Sequence, residues 1–340
     1  MALSTSRRAD PDIGTAIKHF QDDMNRLCES LARVIVGQEA LIRDMVSAML
    51  AGGHILLEGY PGLGKTHLAK GLACCIGVPM SRVQCTPDLM PADITGSEVL
   101  LRAEDDREHR LEFRPGPIFA PMVLVDEINR ATPKTQAALL EAMQERQVTA
   151  AGRSHRLPDP FWLIATQNPI EIEGTFPLPE AQTDRFLFKL SVGYPAVDAM
   201  LRLIDISLDE EPTENMNAVI SLQRISEMMA LCREVVIADE MKRAAVSLVL
   251  ATHPEHGAGS EEARRHFRYG ASPRGLQALL RAARVRALQS GRGHVAADDI
   301  AGVALPALRH RVLLNIESEM DGIAIDSALE RVIGSWRRSI

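Results

Sequence analysis

Residues 58–70 read EGYPGLGKTHLAK, a glycine-rich turn that runs straight into helix-forming sequence. Just before it, HILLEGY (54–60) is an apolar run of the length of a buried strand. Gly59 to Thr66, GYPGLGKT, satisfies G-x-x-x-x-G-K-[ST] in full, in the strand–loop–helix setting that gives the pattern its meaning. Glycines let successive backbone N–H groups converge on phosphate oxygens, and the helix N-terminus adds favourable partial charge. Residues Gly59, Tyr60, Pro61, Gly62, Leu63, Gly64, Lys65, Thr66 and His67 are therefore expected to cradle a nucleotide's phosphates. Lys65 is expected on the β/γ-phosphates, with the Thr66 hydroxyl as a ligand of Mg²⁺. A glycine turn with an incidental Lys-Thr is the bland alternative, and the complete pattern in its context argues against it.

Working outward, similar apolar runs recur at MVLVDEI (122–128), FWLIATQ (161–167) and FLFKLSVGY (186–194), with SRVQCT (81–86) as a fifth. Near-continuous apolar runs alternating with helical stretches predict a parallel sheet covered on both faces, an α/β core over residues 34–195. Two turn-rich pieces, DITGSEVLLRAEDDREHRLEFRPGPI and QVTAAGRSHRLPDP, read as hairpins inserted into that core. An amphipathic helix is expected over 12–33, with Ile13, Ile17, Phe20, Met24, Leu27 and Leu31 on one face, in an N-terminal segment 1–33. A second helix follows in QEALIRDMVSAMLAGG. After Pro195 the strand signal disappears, and helices are expected at 198–208, 221–232, 239–252, 274–289 and 297–313. The expected division is a helical linker over 196–230, loosest near 209–220, then an all-α domain over 231–340.

The length of 340 residues suits roughly two domains. Hydrophobic content of 46% with 24% charged is ordinary for a globular chain, and a formal charge of −7 argues against a dedicated nucleic-acid binder. No run approaches the length of about 18 apolar residues that a membrane span needs. The N-terminus, MALSTSRRADPDIG, has no apolar stretch of the kind a secretory signal carries. Cys28, Cys74, Cys75, Cys85 and Cys232 show neither CxxC spacing nor a disulfide framework, so reduced thiols and a cytoplasmic setting are expected.

A phosphate loop calls for a carboxylate site on a neighbouring strand, and VLVDEINR (123–130) supplies it. Asp126 at the strand tip is expected to hold Mg²⁺, and Glu127 to orient and deprotonate an attacking water. The N-K-x-D signature of GTPases is absent, and an Asp-Glu pair suits hydrolysis better than a small-molecule kinase, which must exclude water.

The phosphate loop, the Asp-Glu strand and a third strand ending in IATQNP together resemble the AAA+ ATPases. Within these, QCTPDLMPADITGSEV, FRPGPIFAPMVLVDEINRATPKTQAALLEAMQERQVT, ATQNPIEIEGTFPLPEAQTDRFLFK and ASPRG are similar to the signature stretches of the MoxR family over about residues 30–315. The resemblance implies ATP with Mg²⁺ and hydrolysis in a homo-oligomeric ring, a hexamer by family habit. It also implies chaperone-like work on protein clients together with a von Willebrand factor A domain protein. Three residue roles are carried over from it. Asn168 matches sensor 1, which helps hold the lytic water; Arg185 in EAQTDRF matches the arginine finger, which reaches into the neighbouring subunit's site; Arg274 in ASPRG matches sensor 2, carried by the lid over the γ-phosphate. Arg130 is a weaker candidate for a subunit contact.

Other signals are weaker. His253 and His256 stand at HxxH spacing in a Pro/Gly loop with no third ligand, and DISLD (205–209) breaks the adhesion-site pattern it approaches. Residues 263–297 carry eight arginines and no acidic residue, most simply a solvated face that includes Arg274. Two other functions share the core. A nucleic-acid motor would use the hairpins, but 4% aromatic content leaves few residues for base stacking. The ATPase subunit of a metal-chelatase machine would need a dedicated large partner.

Overall fold

The computed structural model describes residues 13–102, 109–150, 152–169, 174–207 and 216–340. The start of the expected N-terminal segment, the tip of the first hairpin and much of the expected linker lie outside the described residues.

In chain order, α1 (Ile13–Ala32) and α2 (Glu39–Leu50) precede β1 (Ile55–Gly59), α3 (Lys65–Ile76) and β2 (Met80–Gln84). There follow α4 (Pro91–Thr95), β3 (Gly96–Arg102), β4 (His109–Pro115), β5 (Met122–Asp126) and α5 (Pro133–Glu145). Next come β6 (Gln147–Ala150), β7 (Arg153–Arg156), β8 (Trp162–Gln167), α6 (Glu180–Thr183), β9 (Phe188–Val192) and α7 (Val197–Ser207). Strands β1, β2, β5, β8 and β9 form one five-stranded sheet in the order β2-β5-β8-β1-β9, each neighbouring pair parallel. The five apolar runs are its five strands. The two turn-rich pieces form the antiparallel hairpins β3–β4 and β6–β7.

The period of two along the strands divides the sheet between two cores. Ile55 and Leu57, Met122 and Leu124, and Trp162 and Ile164 face the helices α1 to α3 in one apolar cluster. Leu56, Val123, Val125, Leu163 and Ala165 face a second cluster with α5, Val148 of β6 and Phe186. Both faces are dry, which is why these strands read as unbroken apolar runs. The hairpins touch through aromatic contact: His155 of β7 stacks on Phe113 of β4, ring centroids 3.9 Å apart.

The C-terminal part is a helical lid: α8 (Leu222–Glu234), α9 (Asp239–Ala251), α10 (Glu261–His266), α11 (Pro273–Gln289), α12 (Ala297–Leu308), α13 (Ile316–Met320) and α14 (Ile325–Ser339). Ser221, Ser260, Ser272 and Asn315 cap helices by accepting from backbone N–H groups one turn in. The lid also holds a small antiparallel ribbon, β10 (Phe267–Tyr269) with β11 (Leu313–Leu314), where helix alone was expected. The chain turns at Arg309 to enter that ribbon, so α12 stops at Leu308 rather than running to 313.

Helix α1 packs against α2, α3 and lid helix α11, so the N-terminal helix belongs to the folded body. Phe20, Leu27 and Leu31 are fully buried, whereas Ile13, expected on the same face, is 70% exposed. Met228 and Met229 of α8 are buried in the core. No helix among the described residues is long and apolar enough to cross a membrane.

Candidate functional site

Strand β1 ends at Gly59, and the chain turns through 60–64 into α3. Gly62 and Gly64 adopt φ of +81° and +79°, where a side chain would be strained, and a Cβ on either would meet nothing within 4 Å. These two glycines therefore serve the turn and leave an open hollow above it. Lys65 Nζ bends back to donate to the carbonyl oxygens of Gly59 and Tyr60. His67 Nδ1 is buried with no partner among the described residues, at the junction of two clefts. One cleft runs over the loop past Lys65, Lys70, Asp126 and Asn168. The other is apolar, lined by Val34, Ile35, Val36, Tyr194, Pro195 and Met200. A basic cradle continuous with an apolar recess, with an orphaned ring nitrogen between them, fits a nucleotide's phosphates and base.

The two carboxylates stand where β5 ends. Asp126 is buried, its Oδ1 accepting from Thr166 Oγ1 at 3.2 Å and its Oδ2 lying 3.4 Å from Thr66 Oγ1. A carboxylate facing a hydroxyl at the mouth of the loop is an oxygen donor set of the kind Mg²⁺ takes. Glu127 sits in the left-handed region, φ 56° and ψ 52°, unusual for a residue with a Cβ. The strain is held by its backbone N–H, which donates to the same Thr166 hydroxyl at 2.9 Å. The bend turns the Glu127 carboxylate out of the strand into the cleft, where Gln84 Nε2 and Arg130 Nη1 each donate to its Oε2 at 3.0 Å. Burial, then the carboxylates of Asp126 and Glu127, push the nearby Cys85 thiol up to about 12.

Asn168, one residue beyond β8, is buried in the wall of the same cleft, with its backbone carbonyl facing Asn129 Nδ2 at 3.4 Å. Loop residues Gly59 to His67, Asp126, Glu127 and Asn168 are thus gathered at one end of the sheet, beyond the C-terminal ends of β1, β5 and β8.

Arg185 and Arg274 are not part of that gathering. Both line a different cleft, between α5 and α11, together with Asp184, Arg281 and Arg311. Arg185 donates to the Leu140 carbonyl of α5 at 2.9 Å, and its Nε is buried without a partner. Arg274 lies 3.8 Å from Asp184, whose carboxylate also accepts from Ser272 and from Arg311 Nε at 2.7 Å. Arg274, which the resemblance implies is carried by the lid over the γ-phosphate, thus stands beside Asp184 and away from the phosphate loop of its own copy. The Asp184 hub holds the start of α11 beside Arg185 instead.

Sequence reading missed Arg82 and Gln84 of β2 and the apolar recess. Arg82 Nε donates to Asp126 Oδ2 at 2.7 Å, and Arg82 also donates to Gln84 Oε1 at 3.2 Å. The signal was present in SRVQCT, where polar residues flank buried Val83 at strand alternation. Nothing in spacing alone joins Val34–Val36 to Tyr194, which the fold brings together across 160 residues of chain.

A parallel sheet of this order, with a phosphate loop, an Asp-Glu strand and a helical lid, defines the AAA+ class of ATPases. Residues 54–188 match the ATPase family associated with various cellular activities (AAA), and residues 260–332 match the AAA lid domain. An uncharacterized protein of Bacillus subtilis, YeaC, is 40% identical over 93% of this chain and 96% of its own length. Chaperone MoxR1 of Mycobacterium tuberculosis is 38% identical over 98% of this chain and 86% of its own. Protein MoxR of Methylorubrum extorquens is 35% identical over 92% and 94% respectively. A crystal structure from Cytophaga hutchinsonii, described as a candidate ATPase, superposes with a TM-score of 0.85 at 34% identity, covering 94% of this chain and 96% of that one. The chain belongs to the MoxR family of AAA+ ATPases.

Proposed function

We propose that this protein hydrolyses ATP between neighbouring copies of itself and spends the energy on remodelling protein partners. The observation that carries the reading is the division of the machinery between two clefts: phosphate loop, Asp126, Glu127 and Asn168 in one, Arg185 and Arg274 in the other. One copy then supplies cradle and base, and the next supplies the arginines.

In this scheme the N–H groups of the 59–66 loop and Lys65 bind the phosphates, and Thr66 and Asp126 hold Mg²⁺. Held there, Mg²⁺ would supply positive charge against the phosphate oxygens. Glu127 takes the proton of the attacking water, Asn168 helps to orient that water, and Arg185 stabilises charge on the transferred phosphoryl group from the adjacent subunit.

A closed ring, a hexamer by resemblance, follows from an arginine that serves the next copy's site. Protein clients and a von Willebrand factor A domain partner are part of the proposal, supported by the chaperone name of the Mycobacterium tuberculosis relative. A cytoplasmic setting is supported by five cysteines that are all unpaired. The test is complementation in mixed rings. Lys65→Ala and Arg185→Ala should each be inactive alone, and mixtures should recover ATPase activity, because each copy supplies what the other lacks. Mixed assemblies of verified composition that stay inactive would overturn the shared site.

A further inference from the structure

A buried carboxylate needs a compensating charge, and Asp126 has one supplied from within the chain. Strand β2 lies at the edge of the sheet, paired with β5 so that Gln84 stands opposite Asp126. Val83 points into the core, and Arg82 and Gln84 point into the cleft over the phosphate loop. From there Arg82 Nε reaches Asp126 Oδ2 at 2.7 Å, the same oxygen that faces the Thr66 hydroxyl. The Asp126 side chain is 7% exposed and the Arg82 side chain 52%, so the anion is fixed while the cation hangs on a solvated arm.

We infer that Arg82 is an exchangeable counter-ion, seated on the carboxylate that a divalent cation must take and displaced when that cation arrives with nucleotide. This rests on the reading of Asp126 and Thr66 as the Mg²⁺ site. The guanidinium, 2.7 Å from Oδ2, competes with a metal for the oxygen that faces the Thr66 hydroxyl. Without metal the guanidinium keeps a buried anion from repelling an incoming triphosphate. With metal its presence is an obstacle, because the Arg82–Asp126 bond has to break first. The exchange also reaches the second carboxylate, since Arg82 donates to Gln84, and Gln84 donates to Glu127.

Three roles for Arg82 make different predictions for nucleotide affinity, measured with a fluorescent ATP analogue in excess Mg²⁺ and again in EDTA. A phosphate ligand or a structural brace, once removed, weakens binding in both conditions. A displaceable counter-ion gives opposite signs. Arg82→Gln should bind the analogue severalfold more tightly in Mg²⁺ and severalfold more weakly in EDTA. Arg82→Lys, which keeps a cation but loses the guanidinium fork, should shift in the same two directions by smaller factors. The lysine variant serves alone if the glutamine variant does not fold. Weaker or unchanged binding in Mg²⁺, in the variant that folds, overturns the inference. Failure of the unmodified protein to bind the analogue in Mg²⁺ would instead remove the nucleotide site itself. Lys65→Ala fixes the baseline for a lost phosphate contact.

Discussion

Arg311 reaches from the turn after α12 to Asp184, its Nε 2.7 Å from Oδ1, and donates as well to the carbonyls of Asp184, Phe186 and Leu187. The Arg311 side chain is only 3% exposed, so this is a lid cation buried against the core. Burial draws its pKa down from the ordinary arginine value, and the Asp184 carboxylate opposes that shift. The residue after Asp184 is Arg185, and Ser272 and Arg274 converge on the same carboxylate. One anion thus holds Arg274 and Arg311 of the second cleft, next in the chain to Arg185.

Asp184→Ala should accordingly destabilise the fold by about 3–5 kcal/mol, the cost of leaving a buried charge without its partner. Denaturant unfolding measures it. A loss under about 1 kcal/mol would mean that the backbone carbonyls alone satisfy Arg311.

Glu127→Gln keeps the shape and hydrogen-bonding capacity of the side chain but removes the carboxylate proposed as the base. Nucleotide binding should persist while turnover falls by about 10²–10⁴-fold, the usual worth of general base catalysis. Equilibrium binding and steady-state ATPase assays, read side by side, separate the two effects.

Gly64→Ala places a methyl group at φ +79° in open space above the loop. The conformational strain costs about 1–2 kcal/mol of stability. Nucleotide affinity should suffer more, because the methyl group projects into the hollow where phosphate oxygens meet backbone N–H groups. Melting curves with and without ATP test this: the shift that ATP produces should shrink more than the melting temperature itself falls.

Asp44 on α2 faces Arg286 and Arg309 of the lid, and burial outweighs both, raising its pKa from 3.8 to about 6. Below the unfolded pKa both states are protonated and the residue costs nothing. As pH rises toward the folded value the unfolded chain ionises first, so stability is lost across that window and the penalty is complete above it. Asp44→Asn should therefore stabilise the protein at about pH 8 and leave it unchanged at about pH 4, as denaturant midpoints at the two pH values will show.

The parts of this molecule that were legible in its sequence are those where one local rule dictates residue type. A left-handed turn demanded Gly62 and Gly64, sheet strands dry on both faces demanded unbroken apolar runs, and the second hairpin demanded Gly152 in its turn. The parts that were not legible depend on residues distant in sequence. Arg82 reads as a solvated arginine until β2 is set beside β5, and nothing near Arg274 in the sequence shows that Asp184 stands beside it. The ribbon between Phe267 and Leu314 is two to three residues a side, too short to show a period.

Helix α1 is stitched to both halves at once: Asp23 pairs with Arg224 of α8 at 2.6 Å, Gln21 donates to the Gln289 carbonyl at the end of α11, and Gln289 in turn donates to Ser47 of α2. A strut bridging body and cap leaves little room for a wide internal swing. Core and lid therefore travel as one unit around the phosphate-loop cleft.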